Sequence, residues 1–379
     1  MSTSKADHEI IEIATNVLGN LVDEISDAQY SKLSGSLRIG WSIKKVFNAC
    51  VYSVVSSTGG PEHYIEINYE LVIQLYRYAE RFYVFTQDER LHKFLNNFPA
   101  DYTSFPLLPH DTTKSSCINN MFMASLTWVL FHELGHAVQE HGVIRKKYCC
   151  NAGADGLADN KSSQVYTEEL NVQGEKDLSR HCSLIYHVTE LAADYEATNI
   201  SLSEIFRHAR QFAPENANLQ WEQVLDMCYL MIASMAYTFY RFNGGRMIPQ
   251  EAAPTGTHPN AIFRMEMVVR QICQLLRLQA VKSEYVITDR HILILSKQAA
   301  DLGAIFWYFA HSDKSVDIVD LVIKGLSERP EFRSYAKELI TTWDNVLPEI
   351  LEIRYFGSQF GILHFDNEYR QYAFGYEPS

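Results

Sequence analysis

His132, Glu133 and His136 stand in the segment "WVLFHELGHAVQEHG", Trp128 to Gly142, inside an otherwise apolar run. Residues four apart on a helix lie about 40° apart around its axis, so the two histidines project from one face and can hold a single ion. Glu133 is their neighbour. In this arrangement two imidazoles hold zinc while the carboxylate between them takes a proton from the attacking water and directs it at a peptide carbonyl. The three-residue pattern arises often enough by chance that its surroundings must decide. The plain alternative is a solvated helix edge. The flanks "MFMASLTWVLF" and "LGHAV" oppose it, because they are apolar nearly all round, as a buried helix is. Buried charge needs a partner, and a metal supplies one.

A catalytic zinc takes three protein ligands and keeps one position open. A third histidine six residues after His136 would give the metzincin pattern, but Gly142 occupies that position and His141 falls one residue short. Farther along, "TELAADYEA" sets Glu190 and Asp194 one helical turn apart, in the glutamate-ligand pattern of gluzincins. Glu190 is then the third ligand. Asp194, on the same face, is placed to accept a hydrogen bond from a ligand imidazole and fix its tautomer. The small Ala192 and Ala193 between them permit close helix packing. Asp155, Asp159, Glu168 and Glu169 are weaker candidates, since they lie in a polar stretch without a partner four residues on. The loop "TGTHPNAIFR" adds His258 and Arg264, either of which could stabilise an oxyanion opposite the metal; an ordinary helix cap would look the same. His141, His181 and His187 read as surface or packing residues.

The elements that must position these residues follow from periodicity. Apolar residues from Ile10 to Val22 recur at helical spacing. Val46 to Ser56 and Tyr64 to Asn68 flank "SSTGGPE" and read as a β-hairpin. "YELVIQLYRYAERFYVF" reads as a helix, three prolines break the chain, and a long helix is expected from Ser115 to His141. Ile144 to Arg180 is rich in Gly, Asp, Asn, Ser and Lys and reads as an exposed insertion. Helices are expected from Leu184 to Phe212, Leu219 to Phe242 and Ala261 to Leu278, and over most of the chain to Glu352.

The 379 residues are 47% hydrophobic and 21% charged, enough for a substantial core in one or two domains. A net charge of -13 argues against a nucleic-acid surface and favours a protein or peptide partner. Seven scattered cysteines with no CxxC pair read as reduced thiols. The N-terminal "MSTSKADHEIIEIATNVLGN" lacks the apolar core of a signal peptide, and no run of about 18 uninterrupted apolar residues occurs. A cytoplasmic protein without a membrane span is expected.

Four stretches in one order, "IEINYELVIQLYRYAERFYVFTQDE", "MFMASLTWVLFHELGHAVQEH", "ELAADYEAT" and "THPNAIFR", resemble the Lit family of bacterial phage-exclusion peptidases. The resemblance covers roughly Val46 to Arg264, and "FYVFTQ" carries it most specifically because it holds no generic metal chemistry. It implies a zinc endopeptidase of gluzincin type used in antiviral defence. It further implies an enzyme silent until a phage-derived peptide or protein triggers it, and elongation factor Tu as the host protein cut. By motif, His132 and His136 would be ligands and Glu133 the base, and Glu190 and Asp194 match by spacing. The insertion before Glu190 and the region after Leu278 depart from the family pattern. The expected fold is α+β and predominantly α-helical, zincin-like, with a small β-sheet beside the active-site helix where an extended substrate could add a strand. Residues 1–280 would form the peptidase domain with the insertion 144–180 inside it. Residues 281–379 would form a helical C-terminal region that the same domain could include. The rival from another class is a noncatalytic sensor or scaffold that binds zinc through a zincin fold. An intact Glu133, and three good ligands where a structural site would have four, weigh against it.

Overall fold

The computed structural model describes residues 4–54, 59–96, 98, 106–110, 112–149, 166–167, 178–211, 221–242, 254–283, 285–311, 329–357 and 361–375. Helix α1 (Asp7–Ala28) leads into strands β1 (Ser36–Ser42), β2 (Ala49–Val54) and β3 (Glu62–Asn68). Helices α2 (Tyr69–Thr86), α3 (Glu89–Leu95), α4 (Lys114–Val138) and α5 (His141–Cys149) follow, then the two-residue strand β4 (Tyr166–Thr167). The chain continues through α6 (Arg180–Gln211), α7 (Trp221–Phe242), α8 (Ala261–Lys282), α9 (Asp289–His311), α10 (Arg333–Ile353) and α11 (Asn367–Phe374). It is a mostly helical α+β protein, as the hydrophobic periods require.

The sheet runs in the order β1-β3-β2-β4. The hairpin of β2 and β3 is antiparallel, with Val51 opposite Ile65, and both side chains lie on the buried face. β1 pairs parallel to β3, Ile39 opposite Ile65. Its sequence "SLRIGWS" alternates Leu37, Ile39 and Trp41 with polar or small residues, a period-two signal that sequence reading passed over. The link over residues 43–48 crosses the end of β3, where Asn68 pins it by donating its backbone N–H to the Asn48 carbonyl at 3.1 Å and its amide to the Val46 carbonyl at 3.0 Å. β4 pairs with β2 on its outer edge, at Tyr52 and Ser53. Among the described residues, that edge is open from Ala49 to Val51.

Helix α4 lies between this sheet and helices α2, α6 and α7. Thr113 caps it, its hydroxyl accepting from the Ser116 N–H at 3.1 Å. The helix ends at Val138, three residues before the expected His141, because Glu140 takes a left-handed conformation (φ 52°) and turns the chain back into α5. Where α4 crosses α6, a Cβ on Gly135 would stand 3.2 Å from Ala193 Cα, so only glycine allows this spacing without displacement. That close approach brings the histidines of α4 within reach of the acids of α6.

The expected insertion 144–180 needs correcting at its start. Ile144 to Cys149 are helical, and Ile144 and Arg145 are buried against α6. The run "RKK" hides this in sequence, since Lys146 and Lys147 are exposed while Arg145 points inward. Beyond Cys149 the insertion lies outside the described residues, apart from β4 and the last three positions. The region expected at 281–379 holds α9, α10 and α11. Tyr335, Leu339 and Trp343 of α10 share an apolar cluster with Leu184, Val188 and Leu191 of α6. Among the described residues, α9 alone matches a bilayer span in length and hydropathy; 67% of its most apolar window is buried inside the protein, as in a core helix. The six described cysteines form no disulfide.

Candidate metal centre

His132 and His136 meet Glu190 in the interior, all three at most 7% exposed. The two Nε2 atoms are 3.1 Å apart, Glu190 Oε2 is 3.3 Å from His132 Nε2, and Glu190 Oε1 is 3.2 Å from His136 Nε2. Behind His132 the indole of Trp128 is stacked at 5.2 Å and 27°, and it is anchored by its N–H to the Thr198 hydroxyl at 3.3 Å. Asp194 Oδ1 lies 2.9 Å from His132 Nδ1, close but out of line for a well-formed hydrogen bond. Glu133 is buried beside His132. His258 is partly exposed, its side chain 29% accessible, with Nε2 3.5 Å from Glu190 Oε2 and Nδ1 2.9 Å from the Thr257 hydroxyl.

Two arginines hold the acids, a role the sequence did not suggest for either. Arg264, offered with His258 as a possible oxyanion donor, is buried and grips Asp194 with two hydrogen bonds, 2.7 Å from Nε and 2.6 Å from an Nη. Its guanidinium lies over Phe239 at 4.3 Å. This places the Nε edge of the guanidinium on Asp194. Arg145 donates to Glu190 Oε1 at 2.9 Å and to the Thr189 hydroxyl at 2.8 Å, its guanidinium over the Tyr186 ring at 4.7 Å. His141, expected at the surface or in packing, is wholly buried, with its Nδ1 2.8 Å from His136 Nδ1. His187 is buried too, its Nδ1 paired with the Tyr335 hydroxyl at 2.6 Å, while His181 is exposed. One signal for His141 and Arg145 was available: they are four apart, immediately after the motif.

Burial opposes charge on every one of these groups, and the partners decide the outcome. It acts to lower the His132 pKa, but the Asp194 and Glu190 carboxylates outweigh it and raise the imidazole to about 9. His136 falls to about 3, since burial dominates and nearby Arg145 outweighs part of the pull from Glu190. Burial would raise Glu190 and Asp194, yet His258 and His136 hold Glu190 well below the carboxylate range, and Arg264 holds Asp194 down.

Glu196, two residues past Asp194, behaves oppositely. Burial pushes its carboxyl from 4.5 up to about 8, against the Gly361 N–H, which donates to Oε1 at 3.1 Å, and the more distant charge of Arg354. The folded protein therefore keeps a proton here that the unfolded chain releases near the ordinary value. This contribution to stability is fully present below about pH 4.5 and is lost as pH rises through about 8, at up to about 1.4 kcal/mol per unit. In urea titrations from pH 5 to 8, Glu196→Gln is expected to flatten the loss of stability seen in the parent; parallel curves would contradict it.

The donor set fits a metal. Tetrahedral zinc with bonds of about 2.0–2.1 Å separates its donor atoms by about 3.3–3.4 Å. The two Nε2 atoms are 3.1 Å apart, each lies 3.2–3.3 Å from one oxygen of Glu190, and one donor atom from each of the three residues falls within 4.8 Å of the others; Glu190 Oε2 is buried without an aligned hydrogen-bond donor. Fold and site together define a helical α+β protein with a buried His-His-Glu group able to hold a metal ion. The model of the Peptidase U49 family, the Lit-like peptidases, matches residues 55–275, more than half of the chain, and the chain belongs to that family of peptidases. The match spans every site residue named above. Neither a curated protein nor a solved structure matches the chain.

Proposed function

We propose that this chain is a zinc-dependent endopeptidase of gluzincin type that cuts a host protein as a triggered anti-phage effector in the cytoplasm. The observation that carries this is the buried His132, His136 and Glu190 triad with Glu133 beside it, in a chain of a peptidase family. His132, His136 and Glu190 would hold the ion, which when bound polarises the scissile carbonyl and acidifies water. Glu133 accepts the proton from the attacking water and returns it to the leaving amine. His258, the partly exposed histidine beside Glu190, donates to the oxygen on which negative charge develops. Asp194, gripped by Arg264, orients the His132 ring. An extended substrate would pair with β2, which packs against α4.

The anti-phage role, the phage-derived trigger and elongation factor Tu as target rest on the family resemblance. The test is proteome-wide mapping of new N-termini in bacterial cells expressing the protein, with and without phage infection, against a Glu133→Gln control. A cleavage product that requires Glu133 and appears on infection is the expected result, with elongation factor Tu the first protein to inspect. Identical N-termini in both strains under both conditions would favour a noncatalytic zinc-binding sensor or scaffold.

A further inference from the structure

The metal reading accounts for one face of each ligand and leaves two buried groups on α5 without a task. His141 and Arg145 are four residues apart and so lie on one face of that helix. They meet two of the ligands: His141 Nδ1 is 2.8 Å from His136 Nδ1, the ring nitrogen away from the triad, and Arg145 donates at 2.9 Å to Glu190 Oε1, the oxygen it shares with His136 Nε2, while also holding Thr189. Both are nearly inaccessible, at 0% and 5% exposure, and the left-handed Glu140 is what turns α5 back under α4. Burying a guanidinium and an imidazole costs free energy that packing alone does not return, so the contacts they make call for an explanation.

We propose that His141 and Arg145 are positioning residues for the metal ligands, forming a second histidine-led helix face behind the first. The proposal rests on the reading that His136 and Glu190 bind the metal. A His136 that gives the lone pair of Nε2 to a metal must carry its proton on Nδ1, where the Nδ1 of His141 lies within hydrogen-bonding distance as an acceptor. This fixes both the tautomer and the tilt of the ring. Arg145 occupies Glu190 Oε1 with a donor held by two further contacts, which leaves Oε2 as the freer oxygen for the ion. The side chain thus presents one oxygen from one rotamer.

The test is zinc affinity, measured on purified protein by competition with a chromophoric chelator, together with the visible spectrum after substituting cobalt. His141→Leu and Arg145→Met should weaken zinc binding about 10- to 100-fold and change the cobalt spectrum, as loss of a ligand's supporting partner does. His141→Asn, which keeps an acceptor near the lost Nδ1, should recover most of that affinity, and Arg145→Lys, which keeps the charge without the two-point grip, should not. Should the Leu variant fail to fold, zinc-loaded parent protein labelled with ¹⁵N-histidine decides the first half: an Nδ1–H of His136 hydrogen-bonded to His141 is expected, and its absence overturns the role of His141. Parent-like zinc affinity in folded His141→Leu and Arg145→Met overturns the proposal while leaving the metal reading intact. A parent protein that binds no zinc overturns both.

Discussion

Glu133→Gln is expected to keep its zinc and lose peptidase activity by about 10²- to 10⁴-fold, the usual worth of a positioned general base. The reasoning separates two tasks that the motif joins. The atoms that converge on the candidate ion come from His132, His136 and Glu190, so a neutral amide at position 133 removes no ligand. It does remove the acceptor for the proton of the attacking water. Gln matches Glu in shape, and Glu133 is 7% exposed, so packing around α4 should be kept. Metal analysis of the purified variant and cleavage of the substrate found by N-terminal mapping check the two halves separately. Undiminished cleavage would remove Glu133 from the mechanism. Loss of zinc with folding intact would make it a ligand.

Glu190→Ala is expected to lower zinc affinity by more than the roughly 10- to 100-fold typical of a residue that merely supports a ligand. Two effects act together. The change deletes one of three protein donors, and it leaves Arg145, 2.9 Å from the missing oxygen, as a buried cation facing the place where a dication would sit. Asp194→Ala should weaken zinc less, because all three donor residues remain, although it strands Arg264 and so should destabilise the protein by about 3–5 kcal/mol. Glu190→Gln serves as the milder control for folding. Full zinc content in folded Glu190→Ala would break the pairing of α4 with α6 proposed for the site.

What the sequence showed of this site follows from distance along the chain. His132, Glu133 and His136 are local, and their periodicity on an apolar helix is enough to place them on one face. Glu190 and Asp194 were found the same way, each pair sitting one turn apart on its own helix. Arg264 was noticed as a possible oxyanion donor, but its grip on Asp194 was not, since nothing local says that α8 docks its first turn there. Arg145 was missed, and His141 read only as a surface or packing residue, because a charged run after a turn resembles a loop, and only the reversal at Glu140 shows that Arg145, alone of that run, faces inward. The hairpin was legible from its turn residues, whereas β1 pairs in parallel across a crossover and so has no adjacent turn to announce it.

The two-residue strand β4 has a bearing on what kind of proteolysis the fold permits. With Tyr52 and Ser53 already paired, the part of β2 that has no strand partner on this side among the described residues spans Ala49 to Val51, and so short a stretch can grip only two or three backbone groups. At about 1 kcal/mol for each hydrogen bond, backbone pairing there is too weak to capture an arbitrary unfolded chain. Under the proposed endopeptidase reading, a substrate held there would have to be selected by shape and side chains beyond the cleaved bond.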